Sequence, residues 1–221
     1  KILREASDYG MPDSFSYFAV AKVSFGGQEV VISRTGYTNE LGWEFYTEPH
    51  HDPRALWDHL SKSGRQHGME MFGLDAMNIR RIEAGILNAG SDFNHTTNPF
   101  EVGLGRFVDM EKEDFIGKSA LATASHELRH YGVKCLSGEP LISGEVTKNG
   151  KQIGVVTAGA LSPYLKHGIG YVLLDKPLLN FGENIEIMCR DENMHIAECV
   201  ELPFYDKSSE IPRGKLIDIP E

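Results

Sequence analysis

The feature that most restricts the fold is a series of short apolar–polar alternations in the carboxy-terminal part of the chain. From about Tyr131, segments such as "GEVTKNGKQIGVVTAGAL" and "NIEIMCRD" are typical of strands, and glycine, proline and Asn-Gly pairs separate them. Asn149-Gly150 predicts a two-residue hairpin turn, because both residues tolerate the positive φ angles that such a turn needs. Strands of this length and spacing predict a small barrel or sandwich.

The amino-terminal part has a different pattern. "FAVAKVSFGGQEVVISR" predicts a hairpin that turns at Gly26-Gly27. Strands followed by helices, without a repeating βα rhythm, favour the α+β class over a doubly wound sheet. We therefore predict an α+β domain over residues 1–128 and a β domain over residues 129–221.

A helix is expected directly after "EPHH". Asp52 can cap it, and a proline fits its first turn. Leu56, Trp57 and Leu60 form the apolar stripe that would face the core. A second helix is expected in "GLDAMNIRRIEAG", which ends near a glycine.

Composition argues against two classes of partner, nucleic acids and membranes. The 221 residues carry a net charge of −10 and no basic patch, which argues against nucleic-acid binding. No apolar run approaches the roughly 20 residues that a membrane span requires, so no membrane partner is expected. The first residues, "KILREASDYG", resemble the interior of a longer protein, and we expect the chain to be a fragment or one piece of an assembly.

The three cysteines are scattered along the chain, at Cys135, Cys189 and Cys199. An odd, dispersed set argues against a disulfide framework and suits a reducing compartment, so we expect a cytoplasmic protein. None of them lies near a second cysteine or a histidine at metal-ligand spacing. The sequence therefore predicts no metal site.

The stretch "SRTGYTNELGWEFY" contains the candidate binding residue. On a strand, Glu44 faces away from Trp43 and Phe45. A carboxylate there is a solvated charge or a ligand hook, because it can accept two parallel hydrogen bonds from a planar N–H/NH₂ edge. Pterins, guanines and guanidinium groups all carry such an edge. Tyr37 or Tyr46 can supply a flanking ring, with packing in a half-buried strand as the alternative.

Two further polar groups admit structural and functional interpretations. Of Arg80 and Arg81, we expect one to face solvent and the other to pair with Glu83 or with a ligand carboxylate. A structural ion pair is the favoured interpretation for each. The stretch "SDFNHTTNPFE", which contains Asp92, is expected to be a polar loop with a helix cap, since it lacks the ligand spacing of a calcium loop.

Four segments together resemble the glycine cleavage T-protein (aminomethyltransferase) superfamily, which includes the folate-binding parts of dimethylglycine and sarcosine dehydrogenases and the dimethylsulfoniopropionate demethylase. They are "SRTGYTNELGWEFY", "GLDAMNIRRIEAGILNAGSDF", "TNPFEVGLGRFVDMEKEDFIGKSAL" and "GVVTAGALSPYLKHGIGYV". The resemblance covers the chain from about Ala19 to Phe204, in family order.

The resemblance implies a cloverleaf of three domains around tetrahydrofolate. This chain resembles the second domain and the small β-barrel that follows it, and the first domain would lie on a longer chain or on a partner subunit. In the family that first domain carries the aspartate tied to methylene transfer. The resemblance therefore assigns no catalytic residue to these 221 residues.

The resemblance also assigns cofactor-binding residues. Glu44 matches the acidic residue that grips the pterin edge, and Met77 stands where aminomethyltransferases carry a folate-contacting arginine. Methionine can only pack there, as in the dehydrogenase-linked relatives. The implied activity is transfer of a methyl or methylene unit from a small-molecule amine donor to tetrahydrofolate. The alternatives are a sulfonium demethylase and a non-catalytic folate-binding module that works with an oxidase.

Overall fold

The computed structural model describes residues 1–177 and 179–216. The chain forms two compact units, one of Lys1–Arg80 with the segment that starts at Ser208, the other of Arg81–Lys207. These units group residues by contact; the division into domains at residue 128 stays a prediction. Within the described residues, no helix combines the length and the apolar character needed to cross a membrane.

The first unit contains a three-stranded antiparallel sheet in the order β1-β2-β3 together with helices. Its elements in chain order are α1 (Ile2–Ala6), β1 (Val20–Phe25), β2 (Gln28–Ser33), β3 (Glu44–Tyr46) and α2 (Pro53–Arg65). A further helix, α3 (Leu74–Glu83), begins in this unit and ends in the second.

The predicted hairpin is confirmed. β1 and β2 pair in register from Val20↔Ser33 to Phe25↔Gln28, and both turn glycines have positive φ, 59° and 79°. This left-handed pair gives the turn the twist that matches the strands. Asp8 fixes the turn from outside, because its carboxylate accepts from both glycine N–H groups at 3.0 and 2.9 Å.

Helix α2 begins as the sequence predicts. The Asp52 carboxylate accepts from the N–H groups of Arg54 and Ala55 at 3.0 Å each, and Pro53 occupies the first turn. Leu56 is buried, but the prediction that Trp57 faces the core is wrong, since half of its surface is exposed. Trp57 instead borders a groove beside α1.

The second unit is built around a closed six-stranded antiparallel barrel, in the order β4-β7-β6-β5-β8-β9. Before the barrel, this unit contains a 3₁₀ turn (Gly105–Phe107) and a short α4 (Lys118–Ala122). The strands are β4 (His130–Cys135), β5 (Glu145–Lys148), β6 (Lys151–Leu161), β7 (Gly168–Leu174), β8 (Asn184–Met188) and β9 (Met194–Val200). The α+β class with a carboxy-terminal barrel is confirmed.

Alternation along the barrel strands places an apolar core inside. Val133, Val146, Val172 and Ile187 are fully buried in it. The predicted Asn149-Gly150 turn joins β5 to β6, and both residues have positive φ. Closure leaves no exposed sheet edge, which is the usual solution for short antiparallel strands.

Candidate functional site

Glu44 is the first residue of β3, and the sheet decides which way it faces. It lies opposite Ser33 of β2, while Phe45 lies opposite Ile32. Trp43 and Phe45 pack against the apolar core of the first unit. Glu44 is therefore on the other face of the strand and is half-buried, as the alternation predicts.

A cluster of hydroxyl groups surrounds the Glu44 carboxylate. Thr35 Oγ1 donates to Oε2, and the Tyr46 hydroxyl donates to the same oxygen at 3.1 Å. Ser33 Oγ, which is itself buried, lies 3.2 Å from the Tyr46 hydroxyl. These bonds hold the carboxylate in one orientation at the surface of the sheet.

The two carboxylate oxygens are not equivalent. Oε2 already accepts two hydrogen bonds, which fills its two lone pairs. Oε1 accepts none from the part of the chain that the structure describes, so it can receive an N–H donor directly. A two-point clasp of an N–H/NH₂ edge would need one hydroxyl to rotate away from Oε2. The residues fit a pterin edge, at the cost of one hydrogen bond from a hydroxyl to the carboxylate.

The other two predicted binding residues are in separate places in the first unit. Tyr37 is half-buried in the loop between β2 and β3, and Met77 is half-buried in α3. Tyr46, the alternative ring, contacts Glu44 through its hydroxyl. The roles of Glu44, Tyr37 and Met77 in binding stay predictions.

The opposite face of β3 borders an apolar groove of about 1270 Å³. We call it the α1–α2 groove; its lining includes Ile2, Phe15, Trp43, Trp57, Met71 and Phe72. Met71 and Phe72 are 77% and 67% exposed. Because Trp43 and Phe45 point into this groove, Glu44 lies behind it and does not line it. The α1–α2 groove and the Glu44 carboxylate therefore lie on two different faces of β3.

The sequence missed a buried ionic cluster in the second unit. Arg81 donates to Asp92 Oδ2 at 2.5 Å, and both side chains are almost wholly buried. Burial raises the pKa of Asp92, in spite of the hydrogen bond from the Asn88 N–H and of the Arg81 charge. The expectation that one arginine faces solvent is wrong, since Arg80 is also mostly buried and pairs with Glu40.

Glu83, the last residue of α3, is also fully buried. The Ser162 hydroxyl donates to Glu83 Oε1 at 2.5 Å, so Glu83 is tied to the residue that follows β6. The Tyr171 hydroxyl donates to the Ile82 carbonyl at 2.9 Å. These bonds attach the last turn of α3 to the barrel, which indicates a structural role.

His130 is buried beside this ionic cluster. Burial, and then the positive charge of Arg81, lowers the pKa of His130 to about 4. Its ring lies 5.2 Å from the Tyr171 ring. The histidine is therefore neutral at physiological pH.

Two family models match the chain, one toward each end. The family model described as the GCVT N-terminal domain matches residues 1–112. A second, the glycine cleavage T-protein C-terminal barrel domain, matches residues 129–206.

Among similar proteins, the aminomethyltransferase of Halothermothrix orenii is 39% identical over 92% of this chain and 57% of its own length. The aminomethyltransferase of Caldanaerobacter subterraneus subsp. tengcongensis is 34% identical over 94% of this chain and 56% of its own length. The crystal structure of the glycine cleavage system aminomethyltransferase T from Bartonella henselae has a TM-score of 0.77 and 26% identity, and it aligns with 92% of this chain and 56% of that chain. The chain spans little more than half the length of these relatives.

Proposed function

The chain belongs to the glycine cleavage T-protein family, and on that premise we propose that it is the folate-binding part of a tetrahydrofolate-dependent one-carbon transferase. The single observation that carries this proposal is the Glu44 carboxylate, held by Thr35 and Tyr46 with Oε1 left to accept a ligand donor. Two hydroxyl groups, one from a loop and one from β3, thus orient one acceptor group before any ligand arrives, which limits the ordering cost of binding.

The contribution of the chain to the reaction would be positioning. Bound tetrahydrofolate supplies the nitrogen that accepts the one-carbon unit. Glu44 would hold the pterin edge and so fix where that nitrogen lies, while Met77 and Tyr37 would pack beside the heterocycle. Positioning of two reactants accounts for much of the rate in reactions of this kind.

An amine-linked donor is favoured over a sulfonium donor. The similar proteins with the same two family regions are named aminomethyltransferases. The non-catalytic module that works with an oxidase is the second candidate, favoured by Met77 at the position where aminomethyltransferases carry an arginine. Transfer to tetrahydrofolate from several amines and from dimethylsulfoniopropionate separates these activities.

We also propose that the α1–α2 groove accepts the additional domain that the relatives carry, on the same polypeptide or as a partner subunit. The exposed rings of Trp57 and Phe72 would otherwise present a contiguous apolar surface to water. The groove and Glu44 lie on opposite faces of β3, so a domain docked in the groove leaves the carboxylate accessible.

A cytoplasmic location is part of the same proposal. All three cysteines are buried free thiols, which suits a reducing compartment.

Calorimetry of tetrahydrofolate binding tests the role of Glu44. We expect Glu44→Ala and Glu44→Gln to weaken binding by about 1–3 kcal/mol, or roughly 5- to 150-fold, because charge-assisted donors lose their acceptor. The matched control is Glu29→Gln, which removes an exposed carboxylate from β2 of the same sheet.

The measurement is made on the chain alone and on the chain mixed with the part of the Halothermothrix orenii relative that it does not span. Equal affinities for the parent chain and both Glu44 variants would exclude the clasp. Absence of binding in both settings would exclude the folate-binding function.

A further inference from the structure

Three metal-ligand side chains meet at one end of the barrel, although they are far apart in sequence. Cys135 ends β4, Cys189 follows β8, and His195 is the second residue of β9. Their ligand atoms all lie within 4.8 Å of one another, and the two Sγ atoms are 3.9 Å apart.

The topology explains the meeting. Strand β9 pairs with both β8 and β4, so it lies between the strand that ends at Cys135 and the strand that Cys189 follows. The β8–β9 hairpin closes with the Cys189 N–H donating to the Asn193 carbonyl at 3.0 Å, which puts the cysteine beside the start of β9. Because β4 runs antiparallel to β9, its last residue reaches the same end.

The sulfur separation fits one shared ion. At a Zn–S distance of about 2.3 Å and a tetrahedral angle, two thiolate sulfurs lie about 3.8 Å apart. A disulfide requires about 2.0 Å, much less than the 3.9 Å between Cys135 and Cys189. Soft thiolate ligands together with an imidazole select Zn²⁺-like cations over hard cations such as Mg²⁺.

His195 has the hydrogen bonding of a metal ligand. Its Nε2 lies 2.8 Å from Asp191 Oδ2, and its Nδ1 lies 2.9 Å from Ser137 Oγ. A carboxylate oxygen accepts hydrogen bonds, so the ring proton is on Nε2, toward Asp191. The Nδ1 lone pair then faces a hydroxyl that an ion can replace. A carboxylate that orients a histidine in this way is the usual outer-shell partner of a metal-binding imidazole.

The site has an opening to solvent on the histidine side. Cys135 and Cys189 are fully buried, whereas Asp191 is about half exposed and Ser137 also lies at the surface. From this arrangement we propose that Cys135, Cys189 and His195 bind a soft divalent cation of the Zn²⁺ class at the end of the barrel. The ion would bridge β4 to the β8–β9 hairpin and stabilise the barrel, independently of folate binding.

Both thiols must lose a proton for the ion to bind. Burial, and then the neighbouring Cys135, raises the pKa of Cys189 to about 12, so without metal the thiol is protonated and unreactive. Metal binding to thiolates releases protons, so the affinity should increase as the pH rises.

Titration of the reduced protein with Co²⁺, and then with Zn²⁺ against a chromophoric chelator, tests the site. We expect one equivalent of Co²⁺ to produce sulfur-to-cobalt charge-transfer absorption and Zn²⁺ to displace it. Cys135→Ser and Cys189→Ser should abolish this absorption, and His195→Gln should weaken binding at least tenfold. Cys199→Ser is the matched control, because Cys199 is also a buried barrel thiol with a pKa raised to about 12 but lies outside the cluster.

X-ray absorption of the zinc-loaded parent protein gives a readout that needs no variant to fold. Two sulfur ligands and at least one nitrogen at zinc are the expected result. Charge-transfer absorption that survives both cysteine substitutions, a coordination shell without sulfur, or absence of any cobalt spectrum at one equivalent would each overturn the proposal.

Discussion

His130 should make the stability of this protein fall as the solution becomes acidic. Its side chain is 3% exposed, and burial with the nearby Arg81 charge lowers its pKa to about 4. In the unfolded chain the pKa returns to about 6.5. Since the folded pKa is lower than the unfolded one, the contribution is present above pH 6.5 and is lost as the pH falls toward 4.

The size of the effect follows from these two pKa values. The difference of about 2.5 pKa units corresponds to a limit of about 3.4 kcal/mol. Protonation of His130 in the unfolded chain alone should remove about 2 kcal/mol of unfolding free energy between pH 7 and pH 5. At pH 4 the loss should reach about 3 kcal/mol, where the folded histidine begins to be protonated too.

Urea denaturation of the parent protein and of His130→Phe across pH 4–8 measures the contribution of His130 to the unfolding free energy. The carboxylates titrate in both proteins, so the difference between the two curves isolates His130. We expect the stability difference to shift by about 2 kcal/mol in favour of the variant between pH 7 and pH 5. A His130→Asn variant, which adds no volume, separates the pH dependence from any packing strain beside Tyr171. Parallel curves for all three proteins would refute the reasoning.

Two other perturbations follow from the structure. Arg81→Met alone should lower the unfolding free energy by about 3–5 kcal/mol in urea denaturation, because it leaves the buried Asp92 carboxylate without its partner. The double variant Arg81→Met/Asp92→Leu should recover most of that loss. A double variant as unstable as the single one would contradict this. Trp57→Ser should change the stability of the chain by less than about 0.5 kcal/mol. In sedimentation velocity, Trp57→Ser should weaken association with the part of the Halothermothrix orenii relative that this chain does not span by about 2 kcal/mol. The control is Ile196→Ser, at an exposed barrel position, and an equal effect of both would argue against the α1–α2 groove as the docking surface.

Much of the backbone could be predicted because the signals are local. Gly26-Gly27 and Asn149-Gly150 fix hairpin turns through their own φ preferences, and Asp52 fixes a helix start through two neighbouring N–H groups. The alternation around Glu44 gave its face of the strand correctly for the same reason. The choice between barrel and sandwich was not local, and the resemblance to a known family supplied it.

The surroundings of individual side chains could be found only from the tertiary structure. Trp57 belongs to the apolar stripe of its helix, yet only the tertiary structure decides that it borders a groove and is half exposed. The Arg81–Asp92 pair, eleven positions apart, forms because the loop after α3 returns to the helix, which no periodicity records.

The sequence by itself determined where the chain turns, alternates and caps, since each of those preferences is set by a residue and its neighbours. Only the tertiary structure decided that Cys135, Cys189 and His195 share one end of a barrel, and that Glu44 has one oxygen engaged and one open. Strand order and register bring these groups together, and they result from the burial of the whole core, so they cannot be read from any short stretch of residues.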